Sequence, residues 1–406
     1  MIAKTGKILS LAIAGALVVS ACSSDKKAAT TTTTGAATTT AATATTTVGD
    51  SSTTTAGGAV TATLKGVCPD NIVFGTDWYP EAEHAIYENL GTPYTVSKDA
   101  GSVTGPFMFG GKDMGVKITI LLGGAAGKNN TATADLYTNP DIFLAMVSSD
   151  EAVKLSASKP TISVVAPQDK SPQVLFWDPA SHTGKTIAEV AKEVSTVQYF
   201  AGASYMDYYL ASGVVDPAKA DSSYNGAFDK FVANPKTTMT QGFATAEPYQ
   251  LEHDTAQWMK PVAYQLVHDT GWQVYPEAWA TTPDRLAKAG TKDCLKKLVP
   301  ILQQSQIDVV KDPAAAIKAI VDVNTTYDSF WKYSAEVGAY SIETQKKIGI
   351  VANGTGDGLG SFDLKRVNDF IALATPVYTK LGNTPKAGLK AEDIVTNEFI
   401  DPKIKL

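Results

Sequence analysis

Asn71-Ile72-Val73-Phe74-Gly75-Thr76-Asp77-Trp78-Tyr79-Pro80-Glu81-Ala82-Glu83-His84-Ala85-Ile86-Tyr87 is the stretch whose reading decides the fold. Residues 71–78 are a short apolar run rich in β-branched and aromatic side chains, which reads as a buried strand. Pro80 heads an acid-containing segment, 81–87, that reads as a helix: proline suits the first helical position, and acids suit the positive end of the helix. The stretch is therefore a strand-to-helix corner. Working outward, Val116–Leu122 gives a second strand and Asp141–Met146 a third. Ser148-Ser149-Asp150-Glu151-Ala152-Val153 then has the form of a capped helix start. Strands alternating with helices predict an α/β fold built on a mostly parallel sheet.

From Thr161 the texture changes. Thr161–Ala166 and Gln173–Trp177 are short β-rich runs around a turn, as expected where the chain crosses into a second lobe. Thr186–Val194 reads as a helix, Gln198–Phe200 as a strand, and Gly202-Ala203-Ser204-Tyr205-Met206-Asp207 as a helix opening on small residues. Small residues there let a ligand approach the backbone N–H groups closely. Val262–Val274 is strand-like and reads as the return path. After Pro283 the pattern is helical: Leu295, Leu298, Val299 and Leu302 form an i, i+3, i+4, i+7 stripe, which Pro300 is expected to bend. Asp312-Pro313 begins a helix through Ile317, Ile320 and Val321, and Val367, Phe370, Ile371 and Ala374 repeat the stripe. This order predicts two mixed-sheet lobes with a helical C-terminal extension: residues 60–167 as the first part of lobe 1, 168–272 as lobe 2, and 273–406 as the return to lobe 1 and the helical part. A cleft between lobes is a natural concave site.

The front end predicts where the protein works. Lys4 and Lys7 precede an apolar run of 12 residues, Ile8–Val19, well short of the roughly 20 needed to span a bilayer. Residues 1–21 therefore read as a signal peptide. Leu17-Val18-Val19-Ser20-Ala21-Cys22 resembles the lipobox of bacterial lipoproteins, which implies acylation of Cys22 and anchoring on the outer face of the cell membrane. Residues 22–59 are almost entirely threonine, alanine, serine and glycine. They bury too little surface to offset ordering entropy, and so read as a tether spanning roughly 30–35 Å root-mean-square. The net charge of −6, with no block of lysine or arginine, speaks against nucleic acid. With Cys22 acylated, Cys68 and Cys294 remain, and export favours a disulfide between them over two buried thiols.

The sequence contains no H-E-x-x-H, G-x-S-x-G, phosphate loop or C-x-x-C. The histidines, at positions 84, 182, 253 and 268, are too scattered to suggest a metal site. Glu252-His253-Asp254 reads as solvated surface and Gly354-Thr355-Gly356-Asp357-Gly358 as a flexible turn. No metal and no cofactor are expected.

Asp77-Trp78-Tyr79-Pro80, with His84 four residues after the proline, is similar to the D-W-x-P-x-x-x-H opening of the substrate-binding proteins for thiamine pyrimidine precursors. These belong with the sulfonate, nitrate and taurine binders of ABC importers. Ser149-Asp150-Glu151, Gly202-Ala203-Ser204 and Gln241-Gly242-Phe243-Ala244-Thr245-Ala246-Glu247-Pro248-Tyr249 also resemble family segments, in the same order. The resemblance implies a bilobal periplasmic-binding-protein-like fold (type II) and a monomeric receptor that does not catalyse. It would hand a small heteroaromatic solute to the permease and ATPase of an importer. Trp78 and Tyr79 would form the aromatic platform, Asp77 and Glu247 the polar or charged partners, and His84 the orienting group. Ser149, Asp150, Gly202, Ala203 and Ser204 would present helix-start groups. Glu81 and Glu83 stand where the pyrimidine binders usually carry asparagines, which favours a more cationic or amine-bearing ligand. A binder of another solute (flavin, sulfonate or nitrate) and an exported enzyme remain as alternatives.

Overall fold

The structure is a computed structural model that describes residues 63–124 and 130–406. The signal peptide, Cys22 and the tether lie outside the described residues. Among the described residues the strands are β1 (Asn71–Gly75), β2 (Thr95–Ser97), β3 (Ser102–Phe109), β4 (Lys112–Leu121), β5 (Ile142–Val147), β6 (Ile162–Val165), β7 (Gln173–Trp177), β8 (Thr196–Gln198), β9 (Ala220–Asp221), β10 (Thr238–Phe243), β11 (Ala263–Leu266) and β12 (Ala278–Thr281). They form a seven-stranded sheet, β2-β3-β4-β1-β5-β12-β6, and a five-stranded sheet, β11-β7-β10-β8-β9. β1 runs parallel to both β4 and β5, and β10 runs parallel to β8. β12 returns antiparallel between β5 and β6. Both sheets are therefore mixed, and the chain passes between them twice, after β6 and before β12.

The period-2 alternation of β1 assigns its side chains to two cores. Ile72 and Phe74 pack with Leu144, Trp279, Leu295, Leu298 and Ile320. Val73, facing the other way, joins a core that continues through Leu175, Trp177, Val197 and Met239 of the second sheet to Phe370 and Ala374. These last two lie on the helix Leu364–Lys380, which begins at Asp363, whose side chain accepts from the N–H groups of Lys365 and Arg366. From that first turn Arg366 reaches both crossovers. It donates to Asp169 Oδ1 (3.0 Å), the Asp169 carbonyl (2.7 Å) and the Val274 carbonyl (2.8 Å), and lies over the Tyr275 ring at 4.0 Å. One side chain thus fastens the two segments about which the lobes would move. A disulfide joins Cys68, just before β1, to Cys294 on the helix Thr291–Lys311.

Several elements differ from the sequence reading. Residues 80–84 are not helical, and a 3₁₀ turn begins only at Ala85–Asn89. Tertiary contacts hold the corner open: Asn324 Nδ2 donates to the Pro80 carbonyl at 2.6 Å, and Ala82 N–H donates to the Tyr333 hydroxyl at 2.9 Å. β2, β3 and β12 are strands that sequence reading passed over. β3 carries Pro106, where its register with β4 shifts, which disguises the alternation. Val262–Val274 is strand only over β11, after which the 3₁₀ turn His268–Thr270 and Gly271 at φ +103° end it. The strand expected at Gln198–Phe200 lies at Thr196–Gln198.

Candidate functional site

The loop after β1 carries Trp78 into the space between the lobes. Its indole is half-buried and ringed edge-on, with Tyr79 at 5.7 Å, Phe330 at 6.3 Å, Trp331 at 6.1 Å and Phe200 at 5.7 Å between centroids. Phe200 follows β8 of the second sheet and packs at 4.9 Å on Tyr224, so rings from both lobes meet at Trp78. Edge-to-face pairs present ring edges to ring faces, which suits a site that receives a flat ligand. A cavity of about 680 Å³ adjoins this cluster, lined by Gly226, Phe228 and Asp254 from the second lobe and by Phe330, Trp331 and Tyr333. Phe330 is 53% exposed, unusual for a large apolar side chain.

The loop's position depends on Gly123. Its N–H donates to the Trp78 carbonyl at 3.4 Å. A Cβ there would stand 2.6 Å from the Asp77 Cα and closer still to the Thr76 carbonyl oxygen. Gly123→Ala is expected to destabilise the protein by about 1–3 kcal/mol through forced displacement of residues 76–78, measured as a lower urea midpoint. An unchanged midpoint would show that the loop yields freely.

Beside the rings stands a wall of carboxylates: Asp77, Glu81, Glu83, Glu247 and Glu277. Burial, followed by repulsion from Glu83, Glu277, Asp77 and Glu247, holds the Glu81 carboxyl well above the usual range. Burial does the same to Glu277, with Asp77 and Glu83 adding to it and the Gln168 amide opposing. Burial also raises Glu83, against hydrogen bonds from neighbouring groups that include the Ser341 hydroxyl. Glu247 is pushed up to about 7 by burial, although its Oε2 accepts the Phe243 N–H at 2.7 Å. The ionisable groups acting most strongly on these four glutamates are other carboxylates and the His84 imidazole. His84 Nε2 lies 3.1 Å from Asp77 Oδ1 and 3.8 Å from Glu81 Oε1. Uncompensated buried negative charge is costly, so the buried glutamates hold their protons more tightly than usual in the empty site, and a positively charged guest is the one that would stabilise their ionised forms.

The other expected residues gather elsewhere. Asp150, Gly202, Ala203 and Ser204 line a second cavity of about 470 Å³. There the Asp150 carboxylate accepts from the Ser148 and Ser204 hydroxyls and from the Glu151 N–H at 2.9 Å. Asp150 thus ties one lobe to the other, and Lys154 with Asp207 adds an ion pair at 3.4 Å. Ser149 is engaged with the second crossover: its hydroxyl accepts the Tyr275 N–H at 3.0 Å, and its own N–H donates to the Tyr275 carbonyl at 2.9 Å. The sequence-derived set therefore divides between a ring-and-carboxylate site (Asp77, Trp78, Tyr79, His84, Glu247) and an interlobe contact. Phe200, Phe330, Trp331, Gln168 and Glu277 were missed. Only the pairing of proline with an acid at Pro276-Glu277 hinted at the last, and it precedes a strand that was also missed.

Neither a protein-family model nor a curated protein sequence matches the chain. Solved structures do. The alkanesulfonate-binding protein SsuA from Xanthomonas axonopodis pv. citri, bound to MOPS, superposes with a TM-score of 0.50 at 11% identity, over 81% of this chain and 99% of that one. The periplasmic nitrate-binding protein NrtA from Synechocystis PCC 6803 gives 0.46 at 13% identity, over 81% and 87%. The first likeness establishes the fold: the chain has a two-lobed, periplasmic-binding-protein-like architecture.

Proposed function

We propose that this chain is the lipid-anchored, extracytoplasmic solute-binding protein of an ABC importer. Its interlobe cleft would capture a small heteroaromatic, amine-bearing solute such as a thiamine pyrimidine precursor. The observation that carries this reading is the meeting of Trp78 with Phe200 from the opposite lobe, beside buried carboxylates. A flat ring stacked there would be held by both lobes at once, and its amine edge would face acids. A ligand making contacts only in the closed form shifts the lobes toward closure. A cationic guest gains from ionisation of the neighbouring carboxyls and an anion does not, which weighs against the sulfonate and nitrate alternatives. Against an exported enzyme stands His84, whose ring nitrogen contacts carboxylates rather than a serine or cysteine nucleophile.

Within this reading residues 1–21 are removed, Cys22 carries the lipid, 22–59 form the tether, and 60–167, 168–272 and 273–406 divide between the lobes. The receptor acts as a monomer and docks on its permease. The test is a thermal and chemical denaturation screen of the mature chain against aminopyrimidines, flavins and sulfonates. An aminopyrimidine at a hundredfold excess over its dissociation constant should add about 2.7 kcal/mol. Stabilisation by sulfonates alone would reject the ligand class, and no stabilisation by any of the three would reject the reading.

A further inference from the structure

Stacking a solute on Trp78 leaves one part of the corner unexplained. Asp77, His84 and Glu277 each offer a ligand atom, and these atoms lie within 4.8 Å of one another. They arrive from distant parts of the chain: Asp77 and His84 from the loop after β1, Glu277 from the residue before β12. His84 is fully buried, with its Nε2 turned to Asp77 and Glu81. Glu277 is 5% exposed and is oriented by Gln168, whose Nε2 donates to its Oε2 at 2.7 Å. Gln168 is 1% exposed, and its Oε1 has no hydrogen-bond partner among the described residues. His84 Nδ1 is likewise unpartnered.

An imidazole nitrogen with two carboxylate oxygens is a donor set that divalent first-row cations favour, zinc in particular. An outer group that fixes a ligating carboxylate, as Gln168 does, is the usual support for such a site. We propose that Asp77, His84 and Glu277 form a binding site for a divalent first-row transition cation, with Gln168 positioning Glu277. Tetrahedral bonds of about 2.0–2.2 Å hold ligand atoms roughly 3.3–3.6 Å apart; the His84–Asp77 pair, at 3.1 Å, is already that near, and the remaining separations, within 4.8 Å, must close. Asp77, with its side chain 44% exposed, is the member free to move inward. Three protein ligands leave a coordination position open, available to Glu81 or to a donor atom of a solute. The site stands on its own residues and does not depend on the identity of the solute.

The test uses the mature chain, stripped with a chelator and titrated with Zn²⁺ against a chromophoric competitor, and with Co²⁺ followed by visible absorption. One equivalent should bind, with Co²⁺ bands indicating nitrogen and oxygen ligands. Asp77→Asn, which changes an exposed carboxylate and should fold, and Glu277→Gln should each weaken binding at least tenfold. Gln168→Ala should weaken it by roughly 10- to 100-fold, and His253→Ala should leave it unchanged. Failure to take up a stoichiometric metal ion, or equal affinity in Asp77→Asn and Glu277→Gln, overturns the proposal. So does binding of a protonated organic amine that needs Asp77 and Glu277 while no metal binds. Trp78→Ala separates the two claims: it should weaken solute binding at least thirtyfold and spare the metal, whereas loss of metal alone would leave the solute reading in place.

Discussion

Trp78→Ala should weaken binding of the heteroaromatic solute by about 2–4 kcal/mol, or roughly 30- to 1,000-fold, while leaving the fold intact. The size follows from position. Trp78 is the one ring here that touches Phe200 of the second lobe together with Tyr79, Phe330 and Trp331 of the first. Its removal takes away the platform and one aromatic contact between the lobes, and most of that loss should appear as faster dissociation. Because the indole is only half-buried, the cavity left behind is open to water and costs less than a core deletion. Trp78→Phe keeps a flat face and should recover most of the affinity. Phe200→Ala should cost less than Trp78→Ala, since only the second-lobe half of the contact is lost. Calorimetric titration of the three variants checks the order, and full affinity in Trp78→Ala would move the binding site away from this cluster.

The solute-free protein is expected to lose stability as pH rises from about 5 to about 8, and Glu247 should account for a large share of the loss. Burial raises its folded-state carboxyl from 4.5 to about 7. A group whose pKa is raised on folding holds its proton more tightly when folded. Its contribution is complete below the unfolded value and is lost as pH climbs through the folded one. A displacement of this size corresponds to about 3 kcal/mol. Glu247→Gln keeps the shape and removes the charge, so its stability should be flatter with pH and should exceed that of the parent chain at pH 8. Urea denaturation at pH 5, 6, 7 and 8 measures both. If the parent gains stability over that range and Glu247→Gln follows it in parallel, the carboxylate is not confined as described.

What could be read from the sequence was what neighbouring residues decide among themselves. The apolar run of β1 is a strand, Thr186 with Glu189 caps a helix through a reciprocal pair of hydrogen bonds, and the stripe through Val367 and Phe370 is a buried helix face. Trp78, Tyr79, Asp77, His84 and Glu247 were legible because they sit in short segments at or near strand ends. Misreadings arose where distant residues decide. The corner at 80–84 is shaped by Asn324 and Tyr333, more than two hundred residues away. β12 is too short to show a period of its own and becomes a strand only because β5 and β6 flank it. Glu277 and Phe200 join the site by the same long-range assembly, which no local pattern announces. Ser149 opens a helix, as its sequence suggests, but the distant crossover at Tyr275 engages its hydroxyl.

The most direct test of a cleft that receives a cationic heteroaromatic ring is isothermal titration of the mature chain with a protonatable aminopyrimidine and, separately, with methanesulfonate. The expected result is one aminopyrimidine bound per chain, weakened at least thirtyfold by Trp78→Ala, with no heat of binding from the sulfonate. Saturable 1:1 binding of the sulfonate, unaffected by Trp78→Ala, together with silence from the aminopyrimidine, would contradict it.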